Sequence, residues 1–441
     1  MHRIAAVALT FALVGFAGAQ APKGAEDNWH HWRGPSADGS APKADPPTKW
    51  DAKTNIAWKA ELPGKGSATP IVWGDRVFVL TAVKTDRKAK PEELPKPDPR
   101  SQTKTTPPEH FYKFLVLCFD RATGKKLWEK LAAEAVPHEG IHETHSYAAG
   151  SPTTDGERLY ASFGSYGTFC YDFDGKQLWS RTDLGLIHSR LGWGEAVTPV
   201  VAGGKVLLNY DEEFDSKLYC LDAATGKTLW TAKRDEKTTW STPLVVDRAG
   251  KMQVVTNGTT RVRSYDLASG EVVWQCAGMT VNPIPSPVRF GDSVVAMSGY
   301  RGASALSISL DSKGDLPATG PTWKHGSGTP YVPSPVLAGG KLFFTQANGE
   351  QLTVLDAKTG KVLLDKERLA SAKSFYASPI AANGRLYFVD RAGTTVVAKF
   401  DGELSVLSVN KLNDPVDASP VAVGKQLFLR SERYLYCIAE K

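Results

Sequence analysis

The sequence predicts an all-β fold, an eight-bladed β-propeller with four-stranded antiparallel blades. Three observations lead to this prediction: a Ser/Thr-Pro pair that recurs eight times, an Asp/Gly turn that precedes a tryptophan in most copies, and a last copy that lacks one strand. After the first interval, the pairs are 47, 44, 44, 48, 44 and 41 residues apart, a period typical of propeller blades or solenoid repeats. The prolines of these pairs are Pro70, Pro152, Pro199, Pro243, Pro287, Pro335, Pro379 and Pro420.

Before the repeats, residues 1–19 are predicted to be a signal peptide. Arg3 gives a basic start, an apolar run follows, and Ala17-Gly18-Ala19 has the small-x-small pattern of a cleavage site. The alternative is a signal anchor that stays attached. No Cys follows the run, so we expect no lipid attachment there. The expectation is a periplasmic or secreted protein without a transmembrane segment after cleavage.

Charge and cysteine content exclude several classes of protein. The 53 Lys and Arg residues against 47 Asp and Glu give a formal net charge of +6, and no segment concentrates it, so no nucleic-acid partner is expected. Five Cys without any Cys-x-x-Cys spacing exclude a zinc finger and a disulfide-rich scaffold. We therefore expect residues 20–55 to form an N-terminal extension and residues 56–441 to form one propeller domain.

Each repeat reads as four short strands, which we letter A to D from the channel outward. The turn between strands C and D has the pattern Asp-x-x-Thr-Gly-Lys, as in Asp222 to Lys227. Asp bonds its own backbone two residues on, and Gly supplies the positive φ that closes a hairpin, so regular recurrence favours a turn over a calcium loop. The tryptophans that follow are expected to pack against the next blade. They are Trp128, Trp179, Trp230, Trp274 and Trp323.

The two ends of the repeat region complement each other. The eighth copy stops at Leu435–Ile438 without a fourth strand, and a spare strand with its own tryptophan, Ile56–Leu62, precedes the first copy. Pairing the two closes the ring and removes both sheet edges. An open solenoid is the alternative architecture.

The first blade contains a Pro-rich, charged insertion, residues 84–112, in place of its B–C turn. Such a segment is typical of a mobile loop. The functional alternative is a lid or a partner-docking arm.

The repeats resemble the pyrroloquinoline-quinone (PQQ) propeller repeat, through their Asp-x-x-Thr-Gly-Lys-x-x-Trp pattern. Residues 29–441 are similar to exported PQQ-like propeller proteins common in planctomycete-type bacteria, and the matching stretches include Trp32-Arg-Gly-Pro and Gly192-Trp-Gly. The family contains quinoprotein alcohol dehydrogenases and non-catalytic scaffolds such as BamB. The resemblance therefore implies the fold and leaves the activity open.

In this fold the D–A connections and B–C turns lie on one face, the mouth face, and the A–B and C–D turns lie on the opposite turn face. Residues just before each Ser/Thr-Pro then converge on the mouth of the channel, where aromatic and polar groups together indicate a ligand site. The alternative is that they plug a narrow channel. A partner protein of the envelope, a glycan or a small ligand is expected there, on a monomeric protein. The candidates are Lys65, Tyr147, Trp193, Glu195, Trp240, Tyr331, Tyr376 and Asp417.

A histidine-rich connection between the first two blades offers a possible metal site. His138, His142 and His145 carry imidazoles of the kind that bind transition metals. The alternative interpretation is a polar connection without a metal.

Catalysis by the family's route is not expected. The resemblance implies an adjacent Cys-Cys disulfide, a bound calcium and an aspartate base, but no two Cys are adjacent here. Cys118, Cys170, Cys220 and Cys437 share one strand position and are predicted to be core residues. We expect an exported non-catalytic scaffold or binding module of the cell envelope, without a cofactor and without catalytic residues. The alternatives are a dehydrogenase-like oxidoreductase that uses PQQ with calcium, and a metal-dependent hydrolase.

Overall fold

The computed structural model describes residues 21–369 and 371–440. The predicted signal peptide, residues 1–19, lies outside the described residues. Eight antiparallel sheets form the blades of a propeller, which confirms the predicted fold class. Among the described residues no helix has the length and apolarity needed to cross a membrane.

Blades 1 to 4 follow one another along the chain, each with strands A to D in order. The bounds are, for blade 1, Ile71–Trp73, Arg76–Lys88, His110–Asp120 and Lys126–Ala135; for blade 2, Thr153–Thr154, Leu159–Ser162, Thr168–Tyr171 and Gln177–Arg181; for blade 3, Val200–Ala202, Lys205–Tyr210, Lys217–Asp222 and Thr228–Lys233; and for blade 4, Leu244–Arg248, Lys251–Thr256, Arg261–Asp266 and Val272–Ala277.

Blades 5 to 8 repeat the arrangement and complete the ring. The bounds are, for blade 5, Val288–Phe290, Ser293–Ser298, Ser304–Ser309 and Trp323–His325; for blade 6, Val336–Ala338, Lys341–Thr345, Gln351–Asp356 and Val362–Arg368; for blade 7, Ile380–Ala382, Arg385–Val389, Thr394–Phe400 and Leu404–Lys411; and for blade 8, Val421–Val423, Gln426–Arg430, Tyr434–Ile438 and Ile56–Glu61. Short 3-10 turns are Ala25–Asp27, Pro91–Glu93, Gly164–Tyr166 and Arg190–Gly192.

The N-terminal strand closes the ring as predicted. Ile56–Glu61 pairs antiparallel with Tyr434–Ile438, and Trp58 lies opposite Cys437. Two blades carry an additional strand that the repeat pattern does not predict. Ser40–Ala41 pairs parallel with the innermost strand of blade 7, and Gly314–Leu316 pairs parallel with the outermost strand of blade 4.

The blades pack face to face through the tryptophans of their outer strands. The Trp179 indole N–H in blade 2 donates to the carbonyl of Ala223, directly after the turn Asp of blade 3, at 3.0 Å. Its ring lies under Gly226 of that turn, where an added Cβ would approach it to 2.7 Å. This close approach and a φ of +72° explain why the turn carries glycine. The same contact recurs at Trp58, Trp128, Trp230 and Trp323.

The Ser/Thr-Pro pairs form a second set of contacts between blades, around the channel. In seven of the eight steps, the hydroxyl of one pair accepts a hydrogen bond from the backbone N–H of the equivalent residue in the preceding blade, at 2.9 to 3.2 Å. Within the described chain, the step from Thr198 to Thr242 is the one without this bond. We call the eight residues the hydroxyl ring: Thr69, Ser151, Thr198, Thr242, Ser286, Ser334, Ser378 and Ser419.

The insertion of blade 1 is more ordered than predicted. Strands B and C extend into it, and pairing continues from Lys84 opposite Tyr112 to Lys88 opposite His110. The prediction of a loop over residues 84–112 is therefore too wide, because both flanks form a β-ladder. The part between the strands is residues 89–109, which we call the insertion loop.

Candidate functional site

The N-terminal extension crosses the channel from one side of the ring to the other. Trp29 pairs with Val72 of blade 1, whereas the carbonyls of Asp38 and Gly39 accept the N–H groups of Leu337 in blade 6 and Ala381 in blade 7. The pairing partners are strands A, so this segment fills the channel. We call residues 29–39 the channel plug.

One buried guanidinium fixes the plug. Arg33 donates to the carbonyl of Pro335 at 2.7 Å and to that of Pro379 at 3.1 Å. Burial lowers the pKa of Arg33 to about 10, which leaves it charged at neutral pH. Since a backbone segment closes the channel, the aromatic residues of the mouth do not act as the plug.

Above the plug lies a cavity of about 420 Å³, within the size range of small-molecule sites. Trp32 of the plug contributes to its lining, together with residues from all around the ring. The lining residues are Trp32, Ser67, Thr69, His142, Thr144, His145, Ala149, Ser151, Trp193, Ala196, Thr198, Trp240, Thr242, Ile284, Tyr300, Tyr331, Val332, Asn348, Tyr376, Ser378, Asp417 and Ser419.

Five of the eight predicted site residues line this cavity: Trp193, Trp240, Tyr331, Tyr376 and Asp417. Trp193 and Tyr331 are joined by Tyr300 into an aromatic wall, and Trp240 and Tyr376 add further aromatic side chains to the lining. Trp193 meets Tyr300 edge to face with centroids 5.9 Å apart, and Tyr300 stacks on Tyr331 at 4.8 Å. The Trp240 indole N–H donates to the carbonyl of Gly194 at 2.8 Å. This wall is a preformed apolar surface.

The carboxylate of Asp417 is already paired. Arg391 Nε lies 2.8 Å from Asp417 Oδ1, and the same guanidinium lies 4.2 Å from the ring centre of Tyr376. The hydrogen bond to Asp417 raises the pKa of Arg391. The one carboxylate that lines the cavity is therefore neutralised within the protein.

Three predicted site residues lie elsewhere. Lys65 forms an ion pair with Glu432 at 2.7 Å, and its side chain is 75% exposed. Tyr147 and Glu195 turn away from the channel toward neighbouring blades: the Tyr147 hydroxyl donates to the carbonyl of Glu139, and Glu195 Oε2 accepts the backbone N–H of Ser165 at 2.8 Å. The expectation that Tyr147 and Glu195 reach the mouth is wrong, because backbone position alone does not give side-chain direction in irregular connections.

Glu195 and Tyr147 border a second, water-sized cavity of about 10 Å³. Burial raises the pKa of Glu195 to about 8, and the nearby Glu139 acts in the same direction. The carboxyl is therefore largely protonated at neutral pH and carries no charge toward the channel.

The three histidines do not form the predicted metal site. His138 has both ring nitrogens in hydrogen bonds, to Tyr166 at 3.1 Å and to the carbonyl of Ile187 at 3.0 Å. His142 bonds Thr144, and His145 bonds the carbonyl of Glu195. The connection bends between them because it is a loop, so their rings point to different partners.

His138 belongs instead to a cluster of three side chains that could ligate a metal ion. The ligand atoms of His138, Glu139 and His188 lie within 4.8 Å of one another. The Nδ1 atom of His188 lies 3.1 Å from Glu139, and its Nε2 atom lies 3.7 Å from Asp98 of the insertion loop. Hydrogen bonding to the Glu139 carboxylate raises the pKa of His188. This network joins the insertion loop to the mouth face.

Sequence reasoning missed several lining residues. Tyr300 follows strand B of blade 5, and a systematic reading of the B–C turns, which share the mouth face, would have found it. Trp32 gave no such signal, because it lies in the extension, outside every repeat. The hydroxyl ring is visible in the sequence as the Ser/Thr-Pro period, but the period by itself indicates only the repeat of the blades.

The fold and the channel together define a PQQ-like β-propeller protein. The chain belongs to the family described as outer membrane protein assembly factor BamB, whose model matches residues 113–316 and 315–407. No curated protein matches the sequence.

Solved structures show the same fold at low sequence identity. BamB from Moraxella catarrhalis is 14% identical, with a TM-score of 0.52, over 81% of this chain and 100% of that one. A europium-containing methanol dehydrogenase is 12% identical, with a TM-score of 0.58, over 92% and 89%. A quinohemoprotein alcohol dehydrogenase from Comamonas testosteroni is 11% identical, with a TM-score of 0.60, over 94% and 81%. At 11 to 14% identity, these similarities show the fold alone.

Proposed function

We propose that this protein is a non-catalytic binding module of the cell envelope, and that the cavity at the channel mouth receives a small ligand or part of a partner protein. One observation carries this proposal: the plug closes the channel below a cavity walled by Trp193, Trp240, Tyr300 and Tyr331. Rigid aromatic side chains in a concave site are typical of binding hot spots.

The chemistry of the lining supports binding rather than catalysis. Asp417 is paired with Arg391, His142 bonds Thr144, and His145 bonds a backbone carbonyl. Burial lowers the pKa of His145 to about 4, so this imidazole is neutral at pH 7. The acid and base groups at the cavity therefore already have partners within the protein.

Two observations support the proposed location in the cell envelope. Residues 1–19 have the pattern of a signal peptide, and the family to which the chain belongs is described as an outer membrane assembly factor. A protein partner fits that description, whereas the cavity volume also suits a small ligand or a short glycan.

The cavity does not fit a calcium-bound quinone well. Calcium takes six to eight oxygen ligands, mainly carboxylates and amides. The lining offers one carboxylate, Asp417, which is occupied by Arg391, and one amide, Asn348. We therefore derive no dehydrogenase reaction from this site.

Affinity capture from the native envelope tests the proposal. The Trp193→Ala/Trp240→Ala variant removes two aromatic side chains that line the cavity, and we expect it to lose partners that the wild type retains. A matched control, Leu178→Ala/Leu229→Ala, removes two exposed apolar side chains from outer strands and should retain them. If the tryptophan variant folds normally and keeps every partner, the binding surface lies elsewhere.

A separate assay tests the dehydrogenase alternative. The purified protein is incubated with PQQ and calcium, and quinone absorbance and alcohol-dependent dye reduction are measured. We expect neither. Turnover that depends on the quinone would overturn the non-catalytic proposal.

A further inference from the structure

The hydroxyl ring presents hydrogen-bond donors that the protein itself does not use. Seven of its eight oxygens accept a backbone N–H from the preceding blade. A hydroxyl also carries one donor hydrogen, which rotates to suit its partner. In the described part of the chain, none of the eight donates a hydrogen bond. The six that line the cavity are Thr69, Ser151, Thr198, Thr242, Ser378 and Ser419.

Two buried guanidiniums bond backbone carbonyls next to members of the hydroxyl ring. Arg33 donates to the carbonyls of Pro335 and Pro379, the residues directly after two members of the hydroxyl ring. Arg430 donates to the carbonyl of Ala68, directly before a third member, and to that of Leu80. Across the described residues, neither arginine has a carboxylate within ion-pair distance.

Both arginines keep their charge at neutral pH without forming an ion pair among the described residues. Burial lowers the pKa of Arg430 to about 9, so both side chains stay protonated at pH 7. Asp38 acts on Arg33 electrostatically, but the guanidinium meets its backbone carbonyl, at 3.4 Å, while its carboxylate accepts the N–H and the hydroxyl of Ser40. The Arg33 guanidinium lies 5.4 Å from the ring centre of Trp32, which lines the cavity. A positive potential therefore reaches the base of the cavity through a low-dielectric wall.

We propose that the base of the cavity is an anion site, which takes the carboxylate of a ligand whose apolar body lies along the aromatic wall. The inference rests on the proposed binding function and names its ligand chemistry. Hydroxyl donors form short, strong bonds to carboxylate oxygens, and buried guanidiniums stabilise the negative charge. The carboxylate belongs either to a small organic acid or to the C-terminus of a polypeptide.

Three ligands with one shape and different charge test this inference. Phenylacetate, phenylacetamide and phenethylamine share a benzyl body, and their binding is followed by calorimetry and by tryptophan fluorescence. We expect phenylacetate to bind at least tenfold more tightly than the amide, and the amine to bind least. Equal or tighter binding of the amide or the amine would overturn the anion site, as would no binding of any of the three.

A hydroxyl variant locates the contact. Thr242 lines the cavity, and its oxygen takes no part in the ring of hydrogen bonds, so Thr242→Val removes a donor without breaking a contact between blades. We expect about tenfold weaker phenylacetate binding, since a hydrogen bond to a charged group is lost. The matched control is Thr231→Val, at an exposed position of an outer strand, which should bind as the wild type does. Unchanged binding by the Thr242 variant would contradict the assignment.

Two further experiments test the role of Arg33 and identify the source of the carboxylate. Arg33→Gln should reduce the preference for phenylacetate over phenylacetamide to less than threefold, provided that thermal unfolding shows a folded protein. If this variant does not fold, the Thr242→Val variant and the comparison of the three ligands test the anion site instead. An octapeptide ending in phenylalanine is compared with its C-terminal amide: tighter binding of the free acid than of phenylacetate indicates a polypeptide terminus, and weaker binding indicates a small acid. Negative results in these ligand experiments would contradict the anion site only. The proposed binding function is tested independently, by the envelope capture experiment with the tryptophan variant.

Discussion

The turn face and the mouth face of this propeller are built on different principles. On the turn face the same contact occurs five times: an outer-strand indole donates to a carbonyl of the next blade and lies under the glycine of its turn. Around the channel the bond of the hydroxyl ring repeats as well, but in the loops of the mouth face contacts occur singly, as in the pair of Asp417 with Arg391 or the network around His188. The insertion loop and the cavity both belong to the mouth face.

This difference indicates that the turn face stabilises the fold, whereas the mouth face is suited to recognition. Repeated contacts between adjacent blades hold the ring rigid, and each one is supported by its neighbours. Single contacts on loops can vary without opening the ring, which is why binding residues concentrate on loops of a rigid scaffold. Changes on the turn face or at the ring closure should therefore affect folding, whereas changes on the mouth face should affect local order and binding.

The largest effect is expected from removing the strand that closes the ring. Deletion of residues 20–62 removes the outer strand of blade 8, the channel plug and the indole of Trp58. Loss of a buried tryptophan alone costs about 3–5 kcal/mol, and the deletion also exposes two sheet edges. We expect loss of cooperative thermal unfolding, measured by calorimetry and circular dichroism.

The matched control removes a segment from the mouth face instead. Replacing residues 91–107 of the insertion loop with a short Gly/Ser linker should change the free energy of unfolding by less than about 2 kcal/mol, since exposed loops contribute little to the core. An N-terminal deletion that melts like the wild type would show that the closure does not hold the ring.

A smaller effect distinguishes two glycines of blade 3. Gly204 and Gly226 have nearly the same φ, +71° and +72°, but Gly204 has open space around it and Gly226 lies over the Trp179 ring. Gly204→Ala should cost about 1 kcal/mol from backbone strain alone. Gly226→Ala should cost about 2–4 kcal/mol, because the new methyl group also collides with the indole.

Chemical denaturation measures both free energies of unfolding. In a double variant with Trp179→Ala, the cost of the Gly226 substitution should fall to that of Gly204→Ala. Equal losses in the free energy of unfolding for Gly204→Ala and Gly226→Ala would show that contact with the indole is not the reason for glycine in the turn.

The same contrast explains what the sequence could predict. The number of blades and the turn chemistry were predictable because their patterns repeat along the chain. The closure was predictable for another reason: the spare strand at Trp58 matches the strand that is missing after Ile438. The four cysteines predicted to be core residues, Cys118, Cys170, Cys220 and Cys437, are all buried and free. Cys276, for which no such prediction was made, is buried and free as well.

The site was predictable only in part. Aromatic residues just before the Ser/Thr-Pro pairs reach the cavity, as Trp193 and Tyr376 show. The direction of Glu195 and the approach of Trp32 depend on loop conformation and on contacts between distant parts of the chain. Neither leaves a local pattern in the sequence.

The smallest effect concerns the insertion loop and depends on pH. His188 lies between Glu139 and Asp98, and Glu212 adds further negative charge, whereas Arg100 pairs with Asp98. Because these carboxylates raise the pKa of His188 above its usual 6.5, the imidazolium stabilises the docked loop fully below that value. The stabilisation is lost as the pH rises through the folded-state pKa.

Hydrogen exchange of residues 98–106, corrected for the intrinsic rate at each pH, measures this docking. Between pH 6 and 8.5 we expect protection to fall two- to fivefold, because a partly exposed ion pair contributes about 0.5–1 kcal/mol. The loop should not detach completely, since Thr105 still donates to the carbonyl of Gly192 at 2.7 Å and the Lys104 N–H to that of Leu191 at 2.9 Å. His188→Gln should remove the pH dependence and leave the melting temperature nearly unchanged. An equal loss of protection in that variant would mean that another group controls the loop.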